Sequence, residues 1–203
     1  RNPRNYTMLD YTRFLRAAYG LRRDQPAVLG AEPGMQPRML IISRGGTRKL
    51  LNQDEVAAAA SELGFNVTVA EAGDDVPAFA ALVNSADVLL AVHGAGLTNA
   101  LHLPPGGVLI QVVPYGNIES IARAEFSEPV TDMGLKYLDY SVCAEESSLM
   151  GVFGKEHPMI KDPAAIHLSG WGNVAEWYLG KQDVRINVER FRPSLLRALE
   201  HLQ

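Results

Sequence analysis

A chain of 203 residues, 47% hydrophobic and 21% charged, has room for one globular domain with its own core, or one domain and a small appendage, and argues against two full domains. A formal net charge of −4, a pI near 5.7 and unclustered Lys and Arg give no electrostatic reason to expect nucleic acid or an anionic membrane surface as partner. The lone cysteine, Cys143, excludes an internal disulfide, and no apolar run approaches the roughly 20 residues that span a bilayer.

Arg1-Asn2-Pro3-Arg4 is neither an initiator methionine nor a signal peptide, so the beginning reads as missing. Residues 7–20 carry Leu9, Phe14, Leu15, Ala18 and Tyr19 at helical spacing, closed by Gly20. Residues 21–36, with Pro26, Gly30, Pro33 and Gly34, read as a linker or exposed loop, and the domain proper is expected over 37–203. Met39 to Ile42 reads as a short buried strand. A helix follows from Asn52, with Glu55 three residues on as in a capping box and Val56, Ala59, Ala60 and Leu63 along one face. Phe65 to Ala70 is a second strand, and residues 76–83 form a helix that starts near Asp74-Asp75 with Pro77 in its first turn. Two glycosylation triplets occur, Asn5-Tyr6-Thr7 and Asn66-Val67-Thr68, although Asn66 is expected to open a buried strand.

Asp87 to Val92 is a continuous apolar run, which suits a parallel strand covered on both faces. It ends at His93-Gly94-Ala95-Gly96, where glycines allow a sharp turn and a close backbone approach to a ligand, and Leu97 to Leu101 begins a short helix whose free N–H groups suit an anion. Pro104-Pro105-Gly106-Gly107 then leads into a strand over Val108 to Val113, completing one βαβ crossover. A helix over 118–126 and a strand over 135–142 bring the total to about five strands in an α/β, doubly wound, mostly parallel Rossmann-like sheet. After Glu145 the pattern weakens into a long irregular segment, until Pro193 at a first-turn position opens a last helix to His201.

Ligands of an open parallel sheet sit beyond the carboxyl ends of its strands, so the loops after Ile42 and Val92 should face one cleft. In Ser43-Arg44-Gly45-Gly46-Thr47-Arg48, two guanidinium groups flank a glycine pair and can grip a diphosphate; the alternative is a solvated loop whose arginines pair with Asp54 or Glu55. Gly94, Ala95 and Gly96 shape the second loop. His93 can donate to a phosphate or leaving group, accept a proton, or sit in the core against a carbonyl. Asn99, like Thr98, either caps the helix or touches a nucleotide. Glu146, after the last strand, either binds ribose hydroxyls or stands at a helix N-terminus. His157, His167 and Trp171 either close over a ligand or pack a long loop. There is no Asp-x-Asp metal pair, no zinc-spaced ligand set, no phosphate loop of the Gly-x-x-x-x-Gly-Lys kind and no Gly-x-Ser-x-Gly elbow.

VHGAGLTN followed by LPPGGVLIQVVPYG, together with ISRGGTRKLLNQDEV, VNSAD, EESSL, HPMIKDPAAIH and GW in that order, resembles the family-61 glycosyltransferases over roughly Pro37 to Leu202. That group includes plant xylan arabinofuranosyl- and xylosyltransferases, N-glycan β-1,2-xylosyltransferase and, more distantly, protein O-linked N-acetylglucosaminyltransferases; the plant branch is the closer match. The resemblance implies the C-terminal, donor-binding half of an inverting, metal-independent GT-B glycosyltransferase. It would move xylose or arabinofuranose from a UDP-sugar to a glycan acceptor such as xylan or an N-glycan, with no cofactor. Arg44, Arg48, His93, Gly94, Ala95, Gly96, Asn99 and Glu146 are then the donor-site candidates and His93 the catalytic one. A Golgi-lumenal type II membrane protein is also implied, its anchor and N-terminal domain upstream of Arg1. A nucleotide-sugar epimerase and a noncatalytic nucleotide- or glycan-binding module are the rival readings.

Overall fold

The computed structural model describes residues 5–31 and 33–203; the Arg1–Arg4 start and Glu32 of the expected linker lie outside the described residues. Its centre is one sheet of five parallel strands: β1 (Arg38–Ser43), β2 (Asn66–Glu71), β3 (Val88–Val92), β4 (Val108–Val113) and β5 (Lys136–Ser141), in the order β2-β1-β3-β4-β5. Every residue of β3 and β4 is buried, as their nearly unbroken aliphatic sequences require of strands covered on both faces. β2 has one neighbour only, and Asn66 is exposed at its start, which corrects the expectation that Asn66 opens a buried strand.

Helices α1 (Met8–Ala18), α2 (Gln53–Glu62), α3 (Val76–Ser85) and α4 (Glu119–Asp132) accompany the sheet with a 3₁₀ helix over Ala95–His102 and a C-terminal helix over Val188–Glu200. Val56 and Ala60 of α2 join Phe191, Leu195 and Ala198 of the C-terminal helix against Met39, Ile41, Leu90 and Ile110. On the opposite face Phe79 and Val83 of α3, Leu97 and Ala100 of the 3₁₀ helix and Val130 of α4 cover Leu40, Leu89 and Leu109. Helices on both faces of an all-parallel sheet make the fold doubly wound and Rossmann-like.

Tertiary packing extends several elements past their local signals. α4 continues beyond Phe126 through Pro129, because Val130 and Met133 on its last turn bury in the core. The C-terminal helix starts at Val188, capped by Asn187, whose side chain accepts from Arg190 N at 3.1 Å. Pro193 therefore lies inside it, carried by the buried face of Phe191, Leu195 and Ala198. Asn52 does precede α2, yet its amide bonds Glu55 and Ile186 instead of capping the helix N–H groups. The segment expected to be irregular folds as short helices over Leu149–Phe153, Pro158–Lys161 and Pro163–Leu168 and a π-helical turn over Val174–Gly180. These share a core with Val113 and Ile118 built from Leu149, Met159, Ile160 and Tyr178.

The expected linker is tied down rather than free. Asp87, fully buried at the foot of β3, accepts from Arg23 Nη2 at 2.5 Å, Ala27 N at 2.8 Å and Arg38 N at 2.7 Å. Arg23 also donates to the carbonyls of Asn84, Ser85 and Ala86, closing the C-terminus of α3. Asp87→Ala would leave Arg23 Nη2 and two backbone N–H groups without their acceptor and the Arg23 charge without its counter-ion, so unfolding free energy should fall by about 3–5 kcal/mol in urea denaturation. An unchanged transition midpoint would show that this anchor contributes nothing.

Candidate functional site

With β1 between β2 and β3, the connections from the carboxyl ends of β1 and β3 run to opposite faces of the sheet, which opens a crevice at this switch point. The loop after β1 carries Arg44 and Arg48, and the turn after β3 carries His93 to Gly96. A recess of about 190 Å³ lies there, bordered by Ser43, Arg44, Gly45, Gly46, Glu71 and Gly96. Gly94 has φ 133°, and a Cβ on it would stand 2.9 Å from one Arg48 nitrogen, so glycine both permits the turn and lets the guanidinium lie against it. Arg44 lies on the other glycine, its Nη1 3.8 Å from where a Gly96 Cβ would be.

Arg48 itself has φ 56°, a left-handed conformation that costs a non-glycine residue free energy. The segment after the π-helical turn offsets that cost by lacing to the loop. Arg48 N donates to Gln182 O at 3.0 Å, Lys49 N to Asp183 Oδ1 at 2.8 Å, Val184 N to Lys49 O at 2.9 Å and Leu51 N to Val184 O at 2.8 Å. Arg44 Nε is turned inward onto Thr47 O at 2.9 Å. Neither guanidinium has an ion pair among the described residues, and Arg48 Nε is buried without a hydrogen-bond partner. Glu55, the suggested counter-charge for these arginines, binds Arg185 at 2.8 Å instead. Burial and the neighbouring Arg44 charge lower the Arg48 pKa, against a smaller opposing pull from Glu125. Two adjacent cations, one half-buried, form a place where an anion would relieve repulsion.

His93 is 2% exposed at the base of this crevice. Its Nδ1 lies 2.7 Å from Gln111 Nε2, its Nε2 3.6 Å from Glu125 Oε2, and the ring of Phe126 meets it edge-on at 5.7 Å. Burial first, then the Arg48 and Arg44 charges, depress its pKa to about 4, so it is neutral near pH 7. Its partner is a glutamine side chain, not the backbone carbonyl of a core histidine. Gln111 was missed in the sequence, although it is the single polar residue of the VLIQVV strand; nothing local marked Glu125, Glu71 or Gln182.

The remaining candidates fall elsewhere. Asn99 Nδ2 donates to Gly96 O at 3.0 Å and Thr98 Oγ1 to Ala95 O at 2.7 Å, which are local bonds that shape the 3₁₀ helix. Glu146, 4% exposed, accepts from Tyr140, Cys143 N, Asn187 N and Arg190, so donors meet all its lone pairs and no carboxylate oxygen is free for a ribose. Burial would raise its carboxyl, but bonds from Tyr140, Cys143 and Asn187 outweigh that and hold it below the usual range. Glu71, at the end of β2, is the carboxylate that borders the recess, with Oε1 accepting from Gly45 N at 2.6 Å. His167 Nε2 bonds Gly116 O at 2.7 Å, and His157 Nδ1 accepts from Met159 N at 3.2 Å, both as packing groups; Trp171 is 57% exposed.

The order of strands, the glycine turn and the unpaired arginines define a doubly wound α/β domain with a cationic crevice at its switch point. Residues 3–110 match the Glycosyltransferase 61 family, and the chain belongs to that family. Among its relatives, the rice (Oryza sativa subsp. japonica) β-1,2-xylosyltransferase XAX1 is 64% identical over 203 residues, 100% of this chain and 36% of the relative. The rice α-1,3-arabinosyltransferase XAT3 is 46% identical over 98% of this chain and 35% of its own length. The xylan glycosyltransferase MUCI21 of Arabidopsis thaliana is 33% identical over 80% of this chain and 33% of its own length. The chain thus spans about a third of the length of these relatives.

The depressed His93 pKa carries a stability signature with a definite sign. Between the ordinary 6.5 and the folded value of about 4, the unfolded chain binds the proton that the folded chain refuses. The neutral ring's contribution is therefore fully present above about pH 6.5 and is lost as pH falls toward 4, by up to about 3 kcal/mol. Urea titrations across that range should show the slope, and His93→Gln should reduce it, leaving the share of buried His102, whose pKa burial also lowers; an identical slope in the variant would place the titrating group elsewhere.

Proposed function

We propose that this chain is the donor-binding domain of a GT-B glycosyltransferase that moves xylose or arabinofuranose from a UDP-sugar to xylan. The observation that carries this reading is the pair of guanidinium groups, free of ion pairs among the described residues, set against Gly94 and Gly96 at the switch point. The names of the relatives as xylosyl-, arabinosyl- and xylan glycosyltransferases support the chemistry and the pentose.

In this reading the diphosphate rests on Arg44, Arg48 and the first N–H groups of the 3₁₀ helix, which have no intrahelical acceptors. The ribose lies toward β2, where the second oxygen of Glu71 accepts from its hydroxyls, a role suited to an acidic residue at that strand end. As the bond to the anomeric carbon breaks, negative charge grows on the β-phosphate, and preorganised cations stabilise it most at that moment. An acceptor hydroxyl attacks from the opposite side, which inverts the anomeric centre. Two arginines and a helix start supply the positive charge that a divalent metal supplies elsewhere, so the reaction is metal-independent and needs no cofactor. A GT-B acceptor lies between two Rossmann halves, of which this sheet is one. In the same reading the whole protein works in the Golgi lumen behind a membrane anchor.

Losing one charged bond to the diphosphate costs about 1.5–3 kcal/mol, so Arg44→Ala and Arg48→Ala should each weaken UDP binding about tenfold or more by calorimetry. Glu71→Gln should weaken UDP but spare pyrophosphate. Unchanged UDP affinity in both arginine variants would place the nucleotide elsewhere. In the complete transferase EDTA should leave the rate nearly intact, and activity lost to chelation and restored by manganese would contradict the metal-free account.

A further inference from the structure

Gln111 occupies the middle of β4, in a strand buried at every position, where an amide is costly unless both its ends are satisfied. Its register partner on β3 is Ala91, two residues before His93, so both side chains leave the same face of the sheet. Leu109 pairs with Tyr137 on β5, which brings a phenol to that face as well. Tyr137 Oη lies 2.7 Å from Gln111 Oε1, and Gln111 Nε2 lies 2.7 Å from His93 Nδ1. We propose that Gln111 is a positioning residue that fixes His93 as the Nε2–H tautomer, so that His93 serves the donor site as a hydrogen-bond donor, its Nε2–H passing from the exposed Glu125 carboxylate to the departing phosphate, and not as the base. The role toward phosphate rests on the donor-site reading above; the hold of Gln111 on the ring does not.

The direction of the chain follows from counting protons. In the stated orientation Tyr137 donates to the amide oxygen, the amide donates to Nδ1, and the ring's own proton sits on Nε2 facing the Glu125 carboxylate. Turning the amide over would leave the Tyr137 proton without an acceptor among the described residues. It would also point a bare Nε2 lone pair at Glu125, lone pair against carboxylate. The groups that face the ring are Arg44 and Arg48 from the loop after β1, Glu125 and Phe126 from α4, and the Gln111–Tyr137 pair beneath. The two guanidinium groups oppose a second proton, which agrees with the depressed pKa of about 4. With Nδ1 tied and Nε2 already protonated, the ring has no lone pair to offer an acceptor hydroxyl. The base must then come from another group.

The test reads His93 directly, by ¹⁵N–¹H correlation of the histidine rings in the 203-residue chain without nucleotide, with His93→Gln identifying the signal. Nδ1 should be unprotonated and Nε2 protonated from about pH 8.5 to 5.5. An Nδ1–H ring or an imidazolium across that range would overturn the assignment. Gln111→Met removes the donor, so an Nδ1–H population should appear and UDP affinity should drop about 2- to 10-fold. Should that variant fail to fold, Gln111→Glu keeps the Tyr137 bond, accepts from Nδ1–H and should raise the His93 titration by about 1–3 pH units. An unmoved tautomer and titration in the folded variants would refute the proposal. Absent UDP binding with an Nε2–H ring would instead count against the donor site while upholding the hold of Gln111 on His93.

Discussion

The site depends on one topological constraint, the placement of β1 between β2 and β3 in a sheet whose strands all run the same way. Parallel strands need crossovers, and crossovers keep one hand, so the chain must change faces where the strand order reverses. At that place neither flanking connection covers the strand ends, and a crevice results without any specialised residue. What sequence adds is chemistry at its two lips, cationic on the β1 side and glycine-rich on the β3 side.

Electrostatically the crevice is poorly balanced by itself. Arg44 and Arg48 stand near one another with Arg48 half-buried, neither makes an ion pair among the described residues, and Glu125 offsets only part of the lowering of the Arg48 pKa. Such an arrangement persists because distant parts of the chain pin it. Gln182, Asp183 and the Leu50–Val184 bridge hold the arginine loop, and Gln182 is itself fixed by its side-chain bonds to Tyr115 N, Tyr115 O and Tyr178 O. The Tyr178 ring packs on Gly116, where no side chain would fit. The C-terminal segment is therefore the brace of the crevice rather than a loose lid over it.

Buried polar groups at the sheet's two ends play different parts. At the foot of β3, Asp87 satisfies three donors and fastens the segment before β1 to the body of the domain. At the opposite end, Gln111 passes the hydrogen bond of Tyr137 to His93 and so orients a ring in the crevice. Glu146 resembles the first case: a carboxylate spent on internal donors, joining the turn after β5 to Asn187 and Arg190 of the C-terminal helix.

Much of this was legible in the chain itself. Strand positions, the Gly94–Gly96 turn and the convergence of Arg44 and Arg48 with His93 follow from local patterns: aliphatic runs of strand length, glycines after them, and the rule that loops at strand carboxyl ends share a cleft. Glu71 and Glu125 carry no local signature, since nothing in a sequence tells which carboxylate an edge strand or a neighbouring helix will bring within reach. The tail looked irregular because its helices are only a turn or two long, too short for periodicity; α4 reads as ending at Phe126 and Pro193 as opening the last helix, because only tertiary burial of Val130, Met133 and Phe191 carries these helices across Pro129 and Pro193. By itself the sequence determined the sheet, its glycine turn and the residues of the cationic lips, through local periodicity and backbone preference. Tertiary structure alone decided that Gln182 and Asp183 hold Arg48, that Glu146 faces inward and that Gln111 meets His93, because these contacts join residues that only the registers and crossovers of the folded sheet bring together.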